Sequence, residues 1–310
     1  MTVAENPAVP RAMTEAEKGV MLAVMAHLVW GGMAVYFGLI RHISPIEIAA
    51  HRGLWALPIA AFIVWYLGQY KDVLKVIASP RNMAILTLTA VLIVFNWGVY
   101  VWSIEQGRTL ESSLGYFINP LLNVVMGYLF LGERFTRPQL IALGLAASGV
   151  LVQTVAAGVF PWLGLMLAAT FCLYGFLRKT IPVGPTQGFL VETGIIALPL
   201  LGAEIWLARN GGTHFGGSTF DTLMLMGCGV MTAAALTLFT ASVRRLRYST
   251  AGLLQYISPS LVFLTAVFIF GEHLNAWKLA SFALIWLALA VFSVSAIRDE
   301  RNRRLEMEPV

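Results

Sequence analysis

The chain has 310 residues, of which 58% are hydrophobic and only 12% are charged, and its mean hydropathy is +0.76. A water-soluble core cannot bury that much apolar surface, whereas a lipid bilayer can, so the composition excludes an ordinary soluble protein. The net charge of +5 does not indicate a nucleic-acid partner, because the Lys and Arg residues form no dense stripe. Cys172 and Cys228 stand alone in apolar runs, without disulfide or metal-ligand spacing, and we expect no metal or cofactor.

Ten apolar runs follow one another between a tail of residues 1–18 and a tail of residues 298–310. They cover residues 19–40, 45–67, 83–104, 110–131, 138–157, 161–177, 185–207, 223–243, 250–270 and 276–297. Most can cross a hydrocarbon core of about 30 Å as helices that rise about 1.5 Å per residue. The runs are continuous rather than alternating, which favours helices over a β-barrel. We predict an all-α integral membrane protein with ten transmembrane helices.

The segment 115–133 returns in altered form as residues 254–272 and indicates a tandem duplication. Pro120 matches Pro259 at an offset of 139, and Gly132-Glu133 match Gly271-Glu272 at the same offset. Weaker correspondences pair Val29-Trp30-Gly31 with Leu173-Tyr174-Gly175, Leu57-Pro58 with Leu198-Pro199, and Arg108 with Arg247. We predict two five-helix repeats, residues 19–157 and 158–297. Because five is odd, the second must cross the membrane in the opposite sense, as in many secondary transporters.

The positions of the basic residues predict the orientation of the chain. With a cytoplasmic amino terminus, sixteen Lys and Arg residues face the cytoplasm, four face the outside, and Arg52 lies inside a span. We therefore expect both termini in the cytoplasm.

Three ionisable residues, Glu47, His51 and Arg52, lie within the second predicted span. Charges inside a bilayer cost several kcal/mol unless they are paired or face water, so the group predicts a polar cavity. On a helix, Glu47 and His51 are i, i+4 neighbours. We expect Arg52 to bind an anionic group of a substrate, positioned by His51 and Glu47. The alternative is that Glu47 is interfacial and Arg52 forms a structural ion pair.

Glu192 occupies the position in the seventh span that corresponds to Arg52, at an offset of 140. It could neutralise Arg52 between transport events or carry a coupling proton, and the sequence leaves both open. Pro120 and Pro259 each lack an amide hydrogen, which frees the carbonyls of Tyr116 and Gln255. Since a free carbonyl needs protein or water around it at membrane depth, we expect both helices to kink beside a central site.

Further polar and aromatic side chains in the spans complete the predicted pocket. We expect amide groups to orient a substrate and aromatic rings to line its apolar part. The amides are those of Asn96, Asn119 and Gln255, and the rings are those of Trp97, Tyr100, Tyr116 and Tyr256. For other aromatics, including Trp30 and Trp65, an interfacial belt or core packing is the better interpretation. Glu133 and Glu272 close their spans, and we expect them to anchor loops.

Five segments closely resemble the RarD-type proteins of the EamA family, which belongs to the drug/metabolite transporter superfamily. They are Ile48-Ala49-Ala50-His51-Arg52-Gly53-Leu54-Trp55, residues 96–102, residues 111–120, residues 130–135, and Leu254-Gln255-Tyr256-Ile257-Ser258-Pro259. The likeness extends over roughly residues 18–298. It implies a bacterial inner-membrane permease or exporter of small metabolites, with ten helices in two inverted repeats. It provides no established binding residues.

We therefore expect an alternating-access carrier of a small amphipathic substrate with a carboxylate. Its partners are the lipid bilayer and that substrate, while proton coupling and a homodimer are left open. A channel or a non-transporting scaffold is the alternative. An enzyme is not expected, because the sequence has no nucleophile motif and no clustered Cys/His set.

Overall fold

The computed structural model describes residues 13–271 and 276–307. For residues 296–307 it describes only the backbone. The described residues are largely helical, and no β-strand occurs among them. The helices are α1 (Glu15–Leu39), α2 (Pro45–Leu54), α3 (Ala56–Tyr66), α4 (Tyr70–Ile77), α5 (Pro80–Glu105), α6 (Thr109–Leu131), α7 (Arg137–Ala157), α8 (Trp162–Thr180), α9 (Pro185–Arg209), α10 (Thr219–Arg245), α11 (Tyr248–Leu254), α12 (Ile257–Phe268) and α13 (Ala276–Met307).

Nine candidate membrane spans occur in the described part of the chain, by length and apolar composition. Two of them are composite, because α2 and α3 together form the span Pro45–Tyr66 and α11 and α12 form Tyr248–Phe268. The prediction of an all-α membrane protein is confirmed. The sixth predicted span, residues 161–177, corresponds to α8, whose 19 residues include Arg178 and Lys179 in the last turn, so it is not among the nine. A count of ten stays a prediction.

The two composite spans break just before a proline. Pro58 cannot donate to the carbonyl of Leu54, where α2 ends, and Pro259 cannot donate to the carbonyl of Gln255, directly after the end of α11. In contrast, α6 runs without a break through Pro120, and α9 runs through Pro199. The two matched prolines thus differ in that α6 stays a continuous helix at Pro120, whereas the helix ends before Pro259. The expected kink at both prolines stays a prediction.

A short helix between the second and third spans was not predicted. α4 carries Lys71, Asp72 and Lys75, and it buries Val73 and Val76 against the rest of the protein. Its charged residues make the segment resemble a loop when only apolar runs are considered. The spacing of Val73 and Val76, however, is typical of an amphipathic helix.

α1 and α10 lie side by side and antiparallel, which defines the two ends of the bundle. Glu15 at the start of α1 pairs with Arg245 at the end of α10, with Oε2 and Nε 3.0 Å apart. At the opposite end, His42 Nε2 lies 2.9 Å from Asp221 Oδ1. We call these the Arg245 end and the Asp221 end.

The main contacts elsewhere join helices of the first half to helices of the second. α7 packs against α13, α6 against α8 and α11, α5 against α8 and α9, and α2 and α3 against α9 and α10. Small residues allow some of these approaches: a Cβ on Gly115 of α6 would lie 2.9 Å from the carbonyl oxygen of Gly164 in α8. Such close backbone contacts are typical of helices that pack in lipid.

Candidate functional site

Arg52 lies in the last turn of α2, where side chains from three other helices surround it. Its Nε donates a hydrogen bond of 3.3 Å to Thr232 Oγ1 of α10. The guanidinium carbon lies 4.8 Å from the centre of the Trp97 ring of α5 and 5.6 Å from that of Phe37 of α1. Among the residues that the structure describes, no carboxylate forms an ion pair with Arg52. The cation is held by aromatic faces and one hydroxyl, which leaves its charge available to an anion.

Two tyrosines lie near this arginine. The rings of Tyr100 and Tyr116 meet edge to face, with their centres 6.1 Å apart, and both phenol groups lie within electrostatic range of Arg52. Tyr116 is 53% exposed, so its ring lines an open surface rather than the core. The structure thus brings together four residues that the sequence predicted for the site: Arg52, Trp97, Tyr100 and Tyr116.

Asn119 and Gln255 connect the two halves of the chain deeper in the bundle. Asn119 Nδ2 donates to Gln255 Oε1 over 2.6 Å. The other polar atoms of these buried amides, Asn119 Oδ1 and Gln255 Nε2, have no hydrogen-bond partner in the described part of the chain, and the same holds for both amide atoms of Asn123. Because buried polar groups are normally paired, this group of amides is suited to bind water or a polar ligand.

Two predicted site residues have structural roles instead. Tyr256 is fully buried and donates its hydroxyl to the carbonyl oxygen of Phe117 over 3.0 Å, so it does not line an open surface. The Asn96 amide nitrogen donates to Leu167 O and Thr170 Oγ1, both at 2.8 Å, and joins α5 to α8. The donors of these two side chains are used within the protein, and their contact with substrate stays a prediction.

The carboxylate of Glu47 is fully buried at the Asp221 end and fastens the α9–α10 loop to α2. Its Oε1 accepts the backbone N–H groups of His214 and Phe215 at 2.6 and 3.0 Å, and its Oε2 lies 2.9 Å from His214 Nδ1. His51 is not bonded to Glu47. Its Nδ1 accepts a hydrogen bond of 3.1 Å from Trp55 Nε1, and its Nε2 lies 3.4 Å from Glu204 Oε1.

Glu192 does not pair with Arg52. Its Oε1 lies 3.4 Å from Nε of Arg178 and accepts a hydrogen bond of 2.6 Å from the Thr89 hydroxyl. Its Oε2 accepts a hydrogen bond of 3.4 Å from the Tyr174 hydroxyl. The proposed neutralisation of Arg52 by Glu192 is therefore wrong for this arrangement, because α8 supplies a nearer cation. Glu192 links α5, α8 and α9 on the core side of the bundle.

Sequence reasoning missed Arg178, Glu204 and Thr232. Arg178 lies one residue beyond the predicted span 161–177 and is one of the sixteen basic residues expected at the cytoplasmic face, but its side chain is fully buried within α8. Glu204 lies in α9, inside a predicted span, and its charge alone was a sufficient signal. Thr232 gave no signal, because threonine is unremarkable in an apolar helix.

Pro120 and Pro259, the predicted kink residues, both lie close to the amide group between the halves. The carbonyl oxygen of Pro120 would lie 3.0 Å from a Cβ on Gly252 of α11, which shows how closely α6 and α11 approach. Glu272, expected to anchor a loop, lies outside the described residues. Its counterpart Glu133 does anchor one, since it accepts hydrogen bonds from the backbone N–H groups of Tyr248 and Ser249.

Comparison with known proteins identifies the family. The EamA-like transporter family matches residues 17–155. "Protein RarD" of Salmonella typhi is 40% identical over 291 residues, which cover 93% of this chain and 99% of that protein. The chain belongs to the EamA family. An "Uncharacterized transporter" of Vibrio cholerae is also 40% identical, over 92% of this chain and 94% of its own length. Family membership, together with the apolar helices, makes the chain a multi-pass membrane transporter of the RarD type.

More distant relatives support the same fold. A "Chloramphenicol-sensitive protein RarD" of Pseudomonas aeruginosa is 32% identical over 92% of this chain and 97% of that protein. One protein of known crystal structure superposes with a TM-score of 0.70 at 16% identity, covering 90% of this chain and 98% of that chain. At that identity the likeness concerns the fold alone.

Proposed function

We propose that the chain is a secondary-active carrier that moves a small amphipathic substrate with a carboxylate, a metabolite or a drug, across the bacterial inner membrane by alternating access. The observation that carries the substrate class is Arg52. It is a permanent cation within a membrane span, without an acidic partner among the described residues and placed against Trp97, Tyr100 and Tyr116. The guanidinium would bind the carboxylate, and the rings would contact the apolar part.

The contacts between helices support the division into inverted repeats of residues 19–157 and 158–297. If the first five spans correspond to the last five, α1 corresponds to α8, and α5 to α10. The contact of α1 with α10 then matches the contact of α8 with α5, while α6 meets its own counterpart α11, and α7 meets α13. A two-fold axis in the membrane plane would produce this pattern, with the site between the repeats.

The distribution of charge supports an orientation with both termini in the cytoplasm. The Arg245 end of the bundle carries Lys179, Arg244 and Arg245. The first two donate hydrogen bonds to backbone carbonyl oxygens at that end, and Arg245 pairs with Glu15. An excess of basic residues is typical of the cytoplasmic side. The Asp221 end, with Glu47 and His51, would then face away from the cytoplasm.

Transport is tested with the purified full-length protein in liposomes. We expect saturable counterflow of an aromatic carboxylate, drawn from a panel that includes phenylalanine, phenylacetate and the uncharged aromatic chloramphenicol. Arg52→Gln should abolish exchange of the carboxylates, and Arg52→Lys should restore part of it, because lysine keeps the charge but not the planar fork. Arg41→Gln is the matched control, since Arg41 is exposed at the Asp221 end.

The same assay separates the carrier from the channel. A carrier gives counterflow that saturates with substrate, whereas a channel gives flux that rises without saturation. Unchanged exchange of an anionic substrate by Arg52→Gln would show that this arginine does not bind the carboxylate. If the protein exchanged chloramphenicol but none of the carboxylates, its substrates would be uncharged aromatic compounds and not carboxylates.

A further inference from the structure

A second polar cluster lies at the Asp221 end, partly on the same helix as Arg52, and consists of Glu47, His51, Glu204 and Thr213. We propose that Glu204 in this cluster binds a proton, and that protonation of Glu204 holds the Asp221 end of the bundle closed. The link to transport rests on the carrier function proposed above. Proton binding itself does not, and it is tested separately.

The first argument is a hydroxyl shared by two carboxyl groups. Thr213 Oγ1 lies 2.9 Å from Glu204 Oε1 and 3.1 Å from Glu47 Oε1, both hydrogen-bond distances. A threonine hydroxyl has one hydrogen, so it can donate to only one of these oxygens. The second contact is favourable only if the other carboxyl group carries a hydrogen and donates to Oγ1. Two ionised carboxylates in this position would repel each other.

The hydrogen belongs on Glu204. Glu47 already accepts the backbone N–H groups of His214 and Phe215 on the oxygen that faces Thr213, and these bonds favour its ionised form. Glu204 accepts no backbone N–H group, and besides Thr213 only His51 Nε2, at 3.4 Å, faces its Oε1. Its Oε2 has no hydrogen-bond partner among the described residues. The resulting order is Glu204 Oε1–H donating to Thr213 Oγ1, and Thr213 Oγ1–H donating to Glu47 Oε1.

The neighbouring histidine neither takes this proton nor offers a metal ligand. Tryptophan Nε1 is a donor only, so the 3.1 Å bond from Trp55 requires an unprotonated Nδ1 on His51. A neutral ring then carries its hydrogen on Nε2, the atom that faces Glu204. The ligand atoms of Glu47, His51 and Glu204 all lie within 4.8 Å of one another, as a metal site would require. However, a metal-bound histidine donates through its second nitrogen, and here that nitrogen accepts.

Glu204 is also the group in this cluster that solvent can reach. Its side chain is 15% exposed, against 4% for His51 and 0% for Glu47. Ionisable groups on the elements around this cluster include Arg209 on α9 itself, Arg52 on α2, His214 in the loop, Arg41 and His42 in the α1–α2 turn, Glu105 at the end of α5 and Asp221 on α10. None of the Lys or Arg side chains in the described residues forms an ion pair with Glu204, and the nearest base, His51, is a neutral ring, so a proton is the available means of neutralising this carboxylate.

The position of the cluster explains how the proton would affect transport. Thr213 and Glu47 fasten the α9–α10 loop onto α2, and α2 carries Arg52 five residues beyond Glu47. Loss of the proton from Glu204 would leave two adjacent negative charges around one hydroxyl. Their repulsion would loosen the loop and open a route from the Asp221 end to Arg52.

Infrared difference spectroscopy of the full-length protein in lipid nanodiscs, with pH steps, tests the proton site without any substrate. We expect a band from a protonated carboxyl group that disappears as the pH rises. The band should be lost in Glu204→Gln, retained but shifted in Glu204→Asp, and unchanged in Glu105→Gln, an exposed control at the same end. Thr213→Val should shift the pH midpoint of the band, whereas Thr213→Ser, which keeps the hydroxyl, should restore it.

Three results would overturn the proposal: no such band in the wild type, a band that survives in Glu204→Gln, or Zn²⁺ binding by calorimetry that is lost in Glu204→Gln. The last would make the cluster a metal site. The link to transport is tested with a substrate found by counterflow. Glu204→Gln should lose accumulation driven by a pH gradient and keep counterflow. Loss of both in a folded variant contradicts the coupling role, whereas a wild-type protein that transports nothing contradicts only the carrier function.

Discussion

Arg178 and Glu192 form an ion pair inside the helical bundle, with Nε and Oε1 3.4 Å apart and side chains that are 0% and 3% exposed. Thr89 and Tyr174 donate to the same carboxylate, so three helices meet at it. Arg178 also donates to the carbonyl oxygen of Pro185 over 3.1 Å and thereby holds the start of α9. The pair therefore stabilises the Arg245 end of the bundle, and it has no direct contact with Arg52.

Substitution of either partner should strongly destabilise the protein. We expect Glu192→Gln and Arg178→Met each to lower the free energy of unfolding by about 3–5 kcal/mol, because each leaves a buried charge without its partner. The double variant should lose much less than the sum of the two. Denaturant titration in detergent micelles measures this, with Glu105→Gln as an exposed control. Additive losses would mean that the two charges do not interact.

Gly188 should prove essential for the position of Arg178. A Cβ at this position would lie 2.0 Å from Arg178 Nη1, whereas a Cβ on Gly194, in the same helix, meets nothing within 4 Å. Gly188→Ala should therefore lower the thermal unfolding temperature. Gly194→Ala should leave it unchanged or raise it slightly, since alanine favours a helix by about 0.5–1 kcal/mol over glycine. Equal behaviour of the two variants would contradict the close contact.

The sequence predicted the membrane helices well because the bilayer imposes their length and composition. The predicted span 110–131 corresponds to α6, Thr109–Leu131, and the predicted span 138–157 to α7, Arg137–Ala157. It did not predict α4, whose charges hide a small buried face. Nor did it predict the helix break at Trp55, where Pro58 removes one backbone hydrogen bond. Pro120 and Pro199 each remove one in the same way, yet α6 and α9 continue through them.

The candidate site was predicted in part. The cost of a charge in lipid pointed to Arg52, and its aromatic neighbours followed from their place in the adjacent spans. The partners of each charge were not predictable, because helices that are apolar on all sides do not reveal how they are rotated. Arg178 thus took the place expected for Arg52 beside Glu192, and Glu204 took the place expected for Glu47 beside His51.

Glu133 should contribute to stability as a cap for a helix in the other half of the chain. It accepts backbone hydrogen bonds from Tyr248 at 2.5 Å and Ser249 at 3.1 Å, at the start of α11, and also the Ser249 hydroxyl. The first N–H groups of a helix have no partner within it, and here a distant carboxylate supplies one. Glu133→Ala should lower the free energy of unfolding by about 1.5–3 kcal/mol, the range for hydrogen bonds to a charged group.

Denaturant titration measures this loss, and Ser249→Ala separates its parts. That variant removes the hydroxyl but keeps both backbone donors, so it should cost less than Glu133→Ala. An equal or larger loss in Ser249→Ala would mean that the hydroxyl, and not the cap, accounts for the effect.

The two ends of the bundle should face opposite sides of the membrane, with the Arg245 end in the cytoplasm. Lys75 lies on α4, which is joined to that end because Thr186 at the start of α9 donates to Gln69 over 2.6 Å. Glu105 ends α5 at the other end. Both side chains are exposed, and the native Cys172 and Cys228 are buried and can be replaced by alanine.

In that cysteine-free background, a membrane-impermeant maleimide added to intact cells should label Glu105→Cys but not Lys75→Cys. Permeabilised cells should show labelling of both, which controls for reactivity. The reverse pattern in intact cells would invert the orientation and place the Glu204 cluster in the cytoplasm. α5 has 26 residues that rise about 1.5 Å each, so it is long enough to separate its two ends by a full bilayer core. Labelling of both positions from outside would therefore contradict a bundle that crosses the membrane between them.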